Sequence, residues 1–163
     1  MKRSNFLPLI LLLPLVQLAC AGKSSPASAG AKEAQREAEK FWFAQITKCA
    51  DSYYREANLK GGGREVFEIK EPSVRLAPWK VDDADRLNGI EWHGMIALEA
   101  KAVRVWGSML GHWETWSNGA GRLSDREYPM QKVNGQWSVN TKKGGVFDEV
   151  IHYVPVDCSN IPQ

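Results

Sequence analysis

The sequence predicts an α+β fold, in which one long N-terminal amphipathic helix packs on a curved antiparallel β-sheet. Three observations predict it. Apolar residues recur at helical spacing over 32–57, strand-like alternation follows Gly63, and an Asn134–Gly135 turn separates two strand-like segments. An amphipathic helix must cover a second layer, and the rest of the chain supplies a sheet.

The helix is predicted over Lys32–Ala57, a stretch without glycine or proline. Its apolar positions are three or four residues apart, so they share one face of a helix. These positions are Ala34, Ala38, Trp42, Ile46, Cys49, Tyr53 and Ala57. The Gly61–Gly63 run is expected to end the helix.

The strands are predicted from shorter patterns. Glu65–Lys70 alternates between apolar and polar residues, Pro72 interrupts it, and Val74–Leu76 is expected to resume it. Ile90–Trp106 is long, apolar and rich in β-prone residues. A strand of this length is expected to bend, with Gly94 at a bulge.

The last hairpin is predicted from its turn. Asn134–Gly135 is the dipeptide favoured by a two-residue type I′ turn. Such a turn pairs Lys132 with Trp137 and Met130 with Val139, so these side chains should lie on one face of the sheet.

The order of elements over about Lys32–Asn140 resembles the cystatin-like and nuclear-transport-factor-2-like cone folds. The resemblance implies a helix across a bent sheet, often with a pocket between them. In the enzymes among these families, an Asp or His in that pocket acts as acid or base. The segment Ala84–Trp92 is similar to one in uncharacterised bacterial envelope proteins, which implies no activity.

Residues 1–19 are predicted to be a signal peptide. A positive start at Met1–Arg3 precedes the almost wholly apolar Phe6–Leu18. That segment is shorter than the roughly 20 apolar residues that a membrane-spanning helix needs. It has the length and flanks of the apolar region of an export signal.

Ala19–Cys20 resembles the bacterial lipobox, in which a small residue precedes a cysteine that carries acyl chains such as palmitate. Gln17 and Leu18 depart from the usual lipobox residues. Ordinary secretory cleavage after Ala21 and a retained signal anchor remain alternatives. Lipidation of Cys20 would hold the chain stably on a membrane, since acyl chains contribute about 0.8 kcal/mol per buried methylene.

The predicted location is the cell envelope, with the lipid anchor in the outer membrane and the domain facing the periplasm. Ala21, in place of Asp, favours outer-membrane sorting by resemblance to bacterial lipoproteins. A soluble secreted or periplasmic protein is the alternative. Residues 20–31 form the lipidated cysteine and a flexible tether, because Gly22–Ala31 is rich in small and polar residues. Residues 32–163 form a single domain with an irregular C-terminal tail.

Cys49 and Cys158 remain after lipidation of Cys20, and an exported chain meets an oxidising compartment. A disulfide between them would close a loop of about 110 residues, which is worth roughly 4–5 kcal/mol in the chain-entropy model. Two free thiols are the alternative.

The composition argues against several classes of function. The chain has 21 Lys and Arg against 19 Asp and Glu, and removal of Lys2 and Arg3 leaves 19 of each. A nucleic-acid-binding domain normally carries a basic excess, so nucleic acid is not an expected partner. The sequence contains no spacing typical of a metal site, a phosphate-binding loop or a nucleophile elbow. No metal, cofactor or catalytic residue is therefore predicted.

The predicted function is that of a non-enzymatic, membrane-anchored envelope lipoprotein with a small binding domain. Its partner would be an envelope protein, peptidoglycan-associated material or an apolar small molecule. The candidate binding face is His112, Trp113 and Trp116, because glycines flank this tryptophan-rich stretch and exposed aromatic residues mark binding surfaces.

Two alternatives stay open. One is a small pocket enzyme of the same fold that uses general acid–base chemistry, with His93, Asp125, Glu127 and Tyr54 as candidate groups. The other is a passive structural subunit of a larger envelope assembly.

Overall fold

The structure is a computed structural model that describes residues 26–59, 61–141 and 152–163. In these ranges, seven β-strands form one antiparallel sheet, accompanied by two α-helices and a short 3₁₀ helix at Cys158–Asn160. The helices are α1 (Pro26–Ala44) and α2 (Asp83–Leu87). The strands are β1 (Thr47–Cys49), β2 (Ser52–Asn58), β3 (Arg64–Pro78), β4 (Ile90–Ser108), β5 (Glu114–Val133), β6 (Gln136–Val139) and β7 (His152–Val154).

The predicted α+β class with one long N-terminal helix is wrong, because the described chain is mostly β-sheet. The helix predicted to reach Ala57 ends at Ala44, and β1 and β2 form a hairpin from Thr47 onward. Ala50 closes that hairpin with a positive φ of 51°. Ile46–Thr47 and the two adjacent tyrosines of β2 are β-branched and aromatic residues, which favour strands over helix.

The glycine run Gly61–Gly63 also has a different role from the predicted one. It lies between β2 and β3 instead of after a helix. Gly61 and Gly62 have φ of 98° and 84°, which residues with a side chain rarely adopt. The glycines therefore allow the tight turn between two strands.

The start of α1 differs from the predicted domain boundary. The helix begins at Pro26, within the stretch predicted to be a tether. Proline is well suited to the first turn of a helix, and Ala-rich sequence favours the turns that follow. The predicted signal peptide, the lipidation site Cys20 and the first part of the tether lie outside the described residues.

The strands follow the order β1-β2-β3-β4-β5-β6, and β7 pairs with β2. Because β3 occupies one edge of β2, both β1 and β7 must lie along its other edge. The last segment of the chain thus returns to the beginning of the sheet. This return brings Cys158 next to Cys49, and a disulfide joins them with Cα atoms 5.8 Å apart.

The core lies where α1 packs on the sheet. Ala34, Ala38 and Trp42 are each at most 1% exposed, so this part of the predicted stripe is buried. They contact apolar side chains of three long strands: Ile69, Ile96, Leu98, Ala100 and Met130.

The long strands bend at irregularities in pairing. The register of β3 and β4 shifts between Lys70 and Ser73, around Pro72, and again where Ile69 pairs with Ala102. The bulge predicted at Gly94 is wrong, since Gly94 pairs with Pro78 and Met130 in continuous register. A Cβ atom at Gly94 would lie 2.6 Å from the Ala77 carbonyl oxygen, so a close backbone approach requires this glycine.

The predicted last hairpin is confirmed. Lys132 pairs with Trp137 and Met130 pairs with Val139. Asn134 and Gly135 have φ of 48° and 78°, as the two central positions of a type I′ turn require. We call the end of the sheet that carries this turn the turn end.

Polar contacts fix the start of α1 at the turn end. The Glu33 carboxylate accepts hydrogen bonds of 3.1 Å from Lys132 Nζ and from Trp137 Nε1. Lys132 also lies 3.2 Å from Glu91, which accepts a 2.7 Å hydrogen bond from the Gly135 backbone. One lysine and two carboxylates therefore join the helix, β4 and the turn.

Candidate functional site

The opposite end of β4 and β5 carries the most exposed apolar side chains that belong together. Five residues, Met109–Trp113, connect the two strands. Met109 is 60% exposed, Leu110 is 90% exposed, and Trp116 on β5 is 43% exposed. We call Met109–Trp113 together with Trp116 the tip.

Two glycines give the tip its support. A Cβ atom at Gly63 would lie 2.8 Å from Met109 Sδ, so Met109 packs on the backbone of the β2–β3 turn. A Cβ atom at Gly107 would overlap the ring of Trp116, which therefore lies flat on the β4 backbone. Both apolar side chains are held in place while a large part of each stays in contact with solvent.

Trp113 is held by charge as well as by packing. The Arg64 guanidinium lies 5.3 Å from the centre of its ring. Arg64 Nε also donates a 2.6 Å hydrogen bond to Glu56, whose residue is only 4% exposed. A buried carboxylate is costly unless it is paired, so Glu56 fixes Arg64, and Arg64 covers one side of Trp113.

The two tryptophans of the predicted face contact opposite faces of the sheet. Trp113 packs with Arg64, while Trp116 covers the Cβ position of Gly107. In the pairing of β3 with β4, Arg64 lies opposite Ser108 and Glu65 lies opposite Gly107, so Arg64 and Gly107 are one position apart. Side chains at neighbouring positions of a strand point to opposite faces of the sheet. His112, directly before Trp113, is exposed. The predicted residues thus meet at one end of the molecule but do not form one flat patch.

Sequence reasoning missed Met109 and Leu110, which are 60% and 90% exposed. The signal in the sequence was an apolar pair, Met109–Leu110, between Ser108 and Gly111. This pair lies just before the predicted binding face, which begins at His112. An apolar pair between small residues is too short for periodicity to show whether it is buried or exposed.

The candidate acid–base groups do not converge. His93 Nε2 lies 3.1 Å from the Lys80 carbonyl oxygen and 3.3 Å from Asp85, so it ties α2 to β4. Glu127 approaches Arg75 on the polar face of the sheet. Tyr54 stacks on Trp106, with ring centres 6.3 Å apart. The side chain of the fourth candidate, Asp125, lies outside the described residues.

The sequence did not predict a buried cluster of charged and aromatic residues around Arg55. Arg55 is 4% exposed, and its guanidinium lies 4.2 Å from the centre of the Tyr153 ring and 5.6 Å from that of Phe67. Burial raises the pKa of the nearby Glu65, and the positive charge of Arg55 partly opposes that rise. No motif connects these residues, because strand pairing brings them together from three separate segments.

An open groove of about 260 Å³ lies between α1 and the β5–β6 hairpin. Its lining residues are Glu37, Lys40, Phe41, Met130, Trp137, Ser138 and Val139. The ammonium group of Lys40 is 2.6 Å from Glu37, so this charged pair flanks an otherwise apolar floor. The three described acid–base candidates, His93, Glu127 and Tyr54, do not line this groove.

Among the described residues, no group of three or more His, Cys, Asp or Glu side chains is arranged to hold a metal ion. No helix in the same part of the chain is both long enough and apolar enough to cross a membrane.

Comparison of the chain with protein-family models, with curated proteins and with solved structures found no significant match.

Proposed function

We propose that this chain is a lipid-anchored protein of the bacterial cell envelope that binds a partner through the tip and catalyses no reaction. The observation that carries the proposal is the exposure of Met109, Leu110 and Trp116 at one end of the sheet. Single exposed apolar residues are common on folded proteins, whereas a supported group of them marks an interaction site.

The chemistry of the tip suits binding. Methionine and tryptophan contribute large contact areas, and both are enriched in the buried centres of interfaces. Trp116 lies against Gly107 and Met109 against Gly63, so little ordering of side chains is needed when a partner arrives. An envelope protein is the partner class that we propose.

The anchor is the second part of the proposal. It is supported by the apolar segment Phe6–Leu18 and by Ala19–Cys20, which resembles a lipobox. The proposed location is the outer membrane, with the domain in the periplasm. The intact mass of the membrane-extracted protein tests this part. We expect loss of residues 1–19 and the added mass of acyl chains, while the unmodified full-length mass would contradict it.

The tip is tested by the size of the complex in which the protein is extracted from membranes with a mild detergent. We expect the wild-type chain to migrate with a partner in a native gel. The Met109→Ser/Leu110→Ser variant should migrate as the free protein, because it loses apolar contact area at the tip.

The matched control is Leu87→Ser, since Leu87 is 89% exposed and lies on α2 near the turn end. This variant should stay in the complex. Migration of the wild-type chain as free protein, or a complex that survives the tip variant, would contradict the proposal.

A further inference from the structure

The tip and the start of α1 lie at opposite ends of the sheet. Glu33 in α1 contacts Lys132 and Trp137 beside the turn end. Strand β5 runs for 20 residues from Glu114, next to the tip, to Val133. At about 3.3 Å per residue, the path along β5 is roughly 60 Å, and its pairing with β4 shifts register at four places.

The chain between the proposed anchor and the domain is short. Pro26, the first residue of α1, follows Cys20 by six positions. Even a fully extended segment of this length spans only about 20 Å, at 3.3–3.6 Å per residue. Seven further helical residues, about 10 Å at 1.5 Å per residue, lead from Pro26 to Glu33. An acylated Cys20 would therefore hold the turn end within about 30 Å of the bilayer surface.

We infer that the tip of the anchored chain points away from the bilayer that holds it and binds a partner protein that offers an apolar pocket. The inference rests on the proposed lipid anchor at Cys20. It adds a direction and a kind of partner to the proposed function.

The charges around the tip favour a protein over a lipid surface. Glu114 follows Trp113 directly and is exposed. Of the other described charges beside it, Arg64 donates to Glu56, and the positive charge of Arg55 acts on Glu65. The exposed carboxylate of Glu114 therefore remains, and it repels the anionic headgroups of a membrane.

The shape of the tip points to the same partner. Leu110 is 90% exposed at the turn between two strands, so it protrudes from the end of the sheet. A protruding leucine loses the most contact with water when it enters a concave apolar pocket, which is a feature of protein surfaces.

Two leucines allow a matched experiment. Leu110→Cys and Leu87→Cys replace residues that are 90% and 89% exposed at the two ends of β4. Each variant is extracted from membranes, labelled with a fluorophore on the new cysteine, and reconstituted with phosphatidylethanolamine–phosphatidylglycerol vesicles. The vesicles contain lipid with a short-range quencher on the headgroup.

We expect the label at position 87 to be quenched at least threefold more strongly than the label at position 110. Equal quenching, or stronger quenching at position 110, would place the tip on lipid and overturn the inference. Vesicle flotation of the same samples separates the two proposals. Protein that does not float lacks the anchor, which would overturn the proposed function and with it the inference.

Discussion

The two ends of β5 are built differently. At the turn end, Lys132 joins Glu33 to Glu91, and the Gly135 backbone donates to Glu91. At the tip, Met109 and Leu110 extend beyond the last ladder pairs with most of their surface in water. The turn end satisfies its polar groups within the chain, whereas the tip leaves the described side chains of Met109 and Leu110 largely in water. The difference supports our proposal that the first end serves stability and the second serves binding.

The turn end also carries exposed apolar residues. Leu87 is 89% exposed and Trp79 is 51% exposed, so apolar exposure alone does not distinguish the two ends. The edge of Trp79 packs against the ring of His93, with centres 5.4 Å apart. Three exposed apolar residues occur together at the tip, and two of them, Met109 and Trp116, pack on glycines. Grouping and support, rather than exposure, define the candidate site.

The largest expected effect comes from the disulfide, which stabilises the sheet and should leave the tip unchanged. The Cys49→Ser/Cys158→Ser variant opens the link between β1 and the C-terminal segment. It should lower the free energy of unfolding by about 4–5 kcal/mol in the chain-entropy model. Urea denaturation measures the loss. A variant as stable as the wild-type chain would show that β7 alone holds that segment.

The next largest effect on the free energy of unfolding is expected from replacing Trp42, with Trp116 as the comparison. Trp42, 1% exposed under α1, should cost about 3–5 kcal/mol when replaced by alanine, because a cavity forms in the core. Trp116→Ala should cost less, about 2 kcal/mol, because 43% of the residue is already in water. Urea denaturation of both variants measures the contrast. Equal losses would show that Trp116 belongs to the core and not to a binding surface.

The turn end should make stability depend on pH. The hydrogen bond from Trp137 and, next, that from Lys132 hold the pKa of Glu33 below its usual range. A depressed pKa in the folded state stabilises the protein above the unfolded pKa, and this stabilisation is lost as the pH falls through the folded pKa. Trp137→Phe should raise the pKa of Glu33 and weaken the acid dependence.

Carboxyl NMR titration measures the Glu33 pKa in both chains, and Trp113→Phe at the tip is the control. The control should leave the Glu33 pKa unchanged. An unchanged pKa in Trp137→Phe would show that the contacts of Glu33 at the turn end do not persist in solution.

The β5–β6 hairpin could be predicted because its signal is local. Asn134 and Gly135 adopt positive φ readily, and the two-residue loop then fixes every pair in the ladder. The buried part of the helical stripe could be predicted as well, since Ala34 and Trp42 lie on one face of α1.

The end of the helix could not be predicted from periodicity. Tyr53 and Ala57 fall on the helical stripe by spacing alone, but they lie in β2, where pairing with β3 decides their conformation. The tip was missed in part for a similar reason. Whether Met109 and Leu110 are buried depends on which segment covers the end of β4, and this is a property of the assembled sheet.

The most direct test of the central claim is photo-crosslinking in intact cells from Leu110 and, as the matched position, from Leu87. Each leucine is replaced in turn by p-benzoylphenylalanine, and adducts are read by mass. The account predicts one protein adduct of defined mass from position 110, abolished by Met109→Ser and Trp116→Ala together, and no such adduct from position 87. Equal adducts from both positions, or none from position 110, would contradict it.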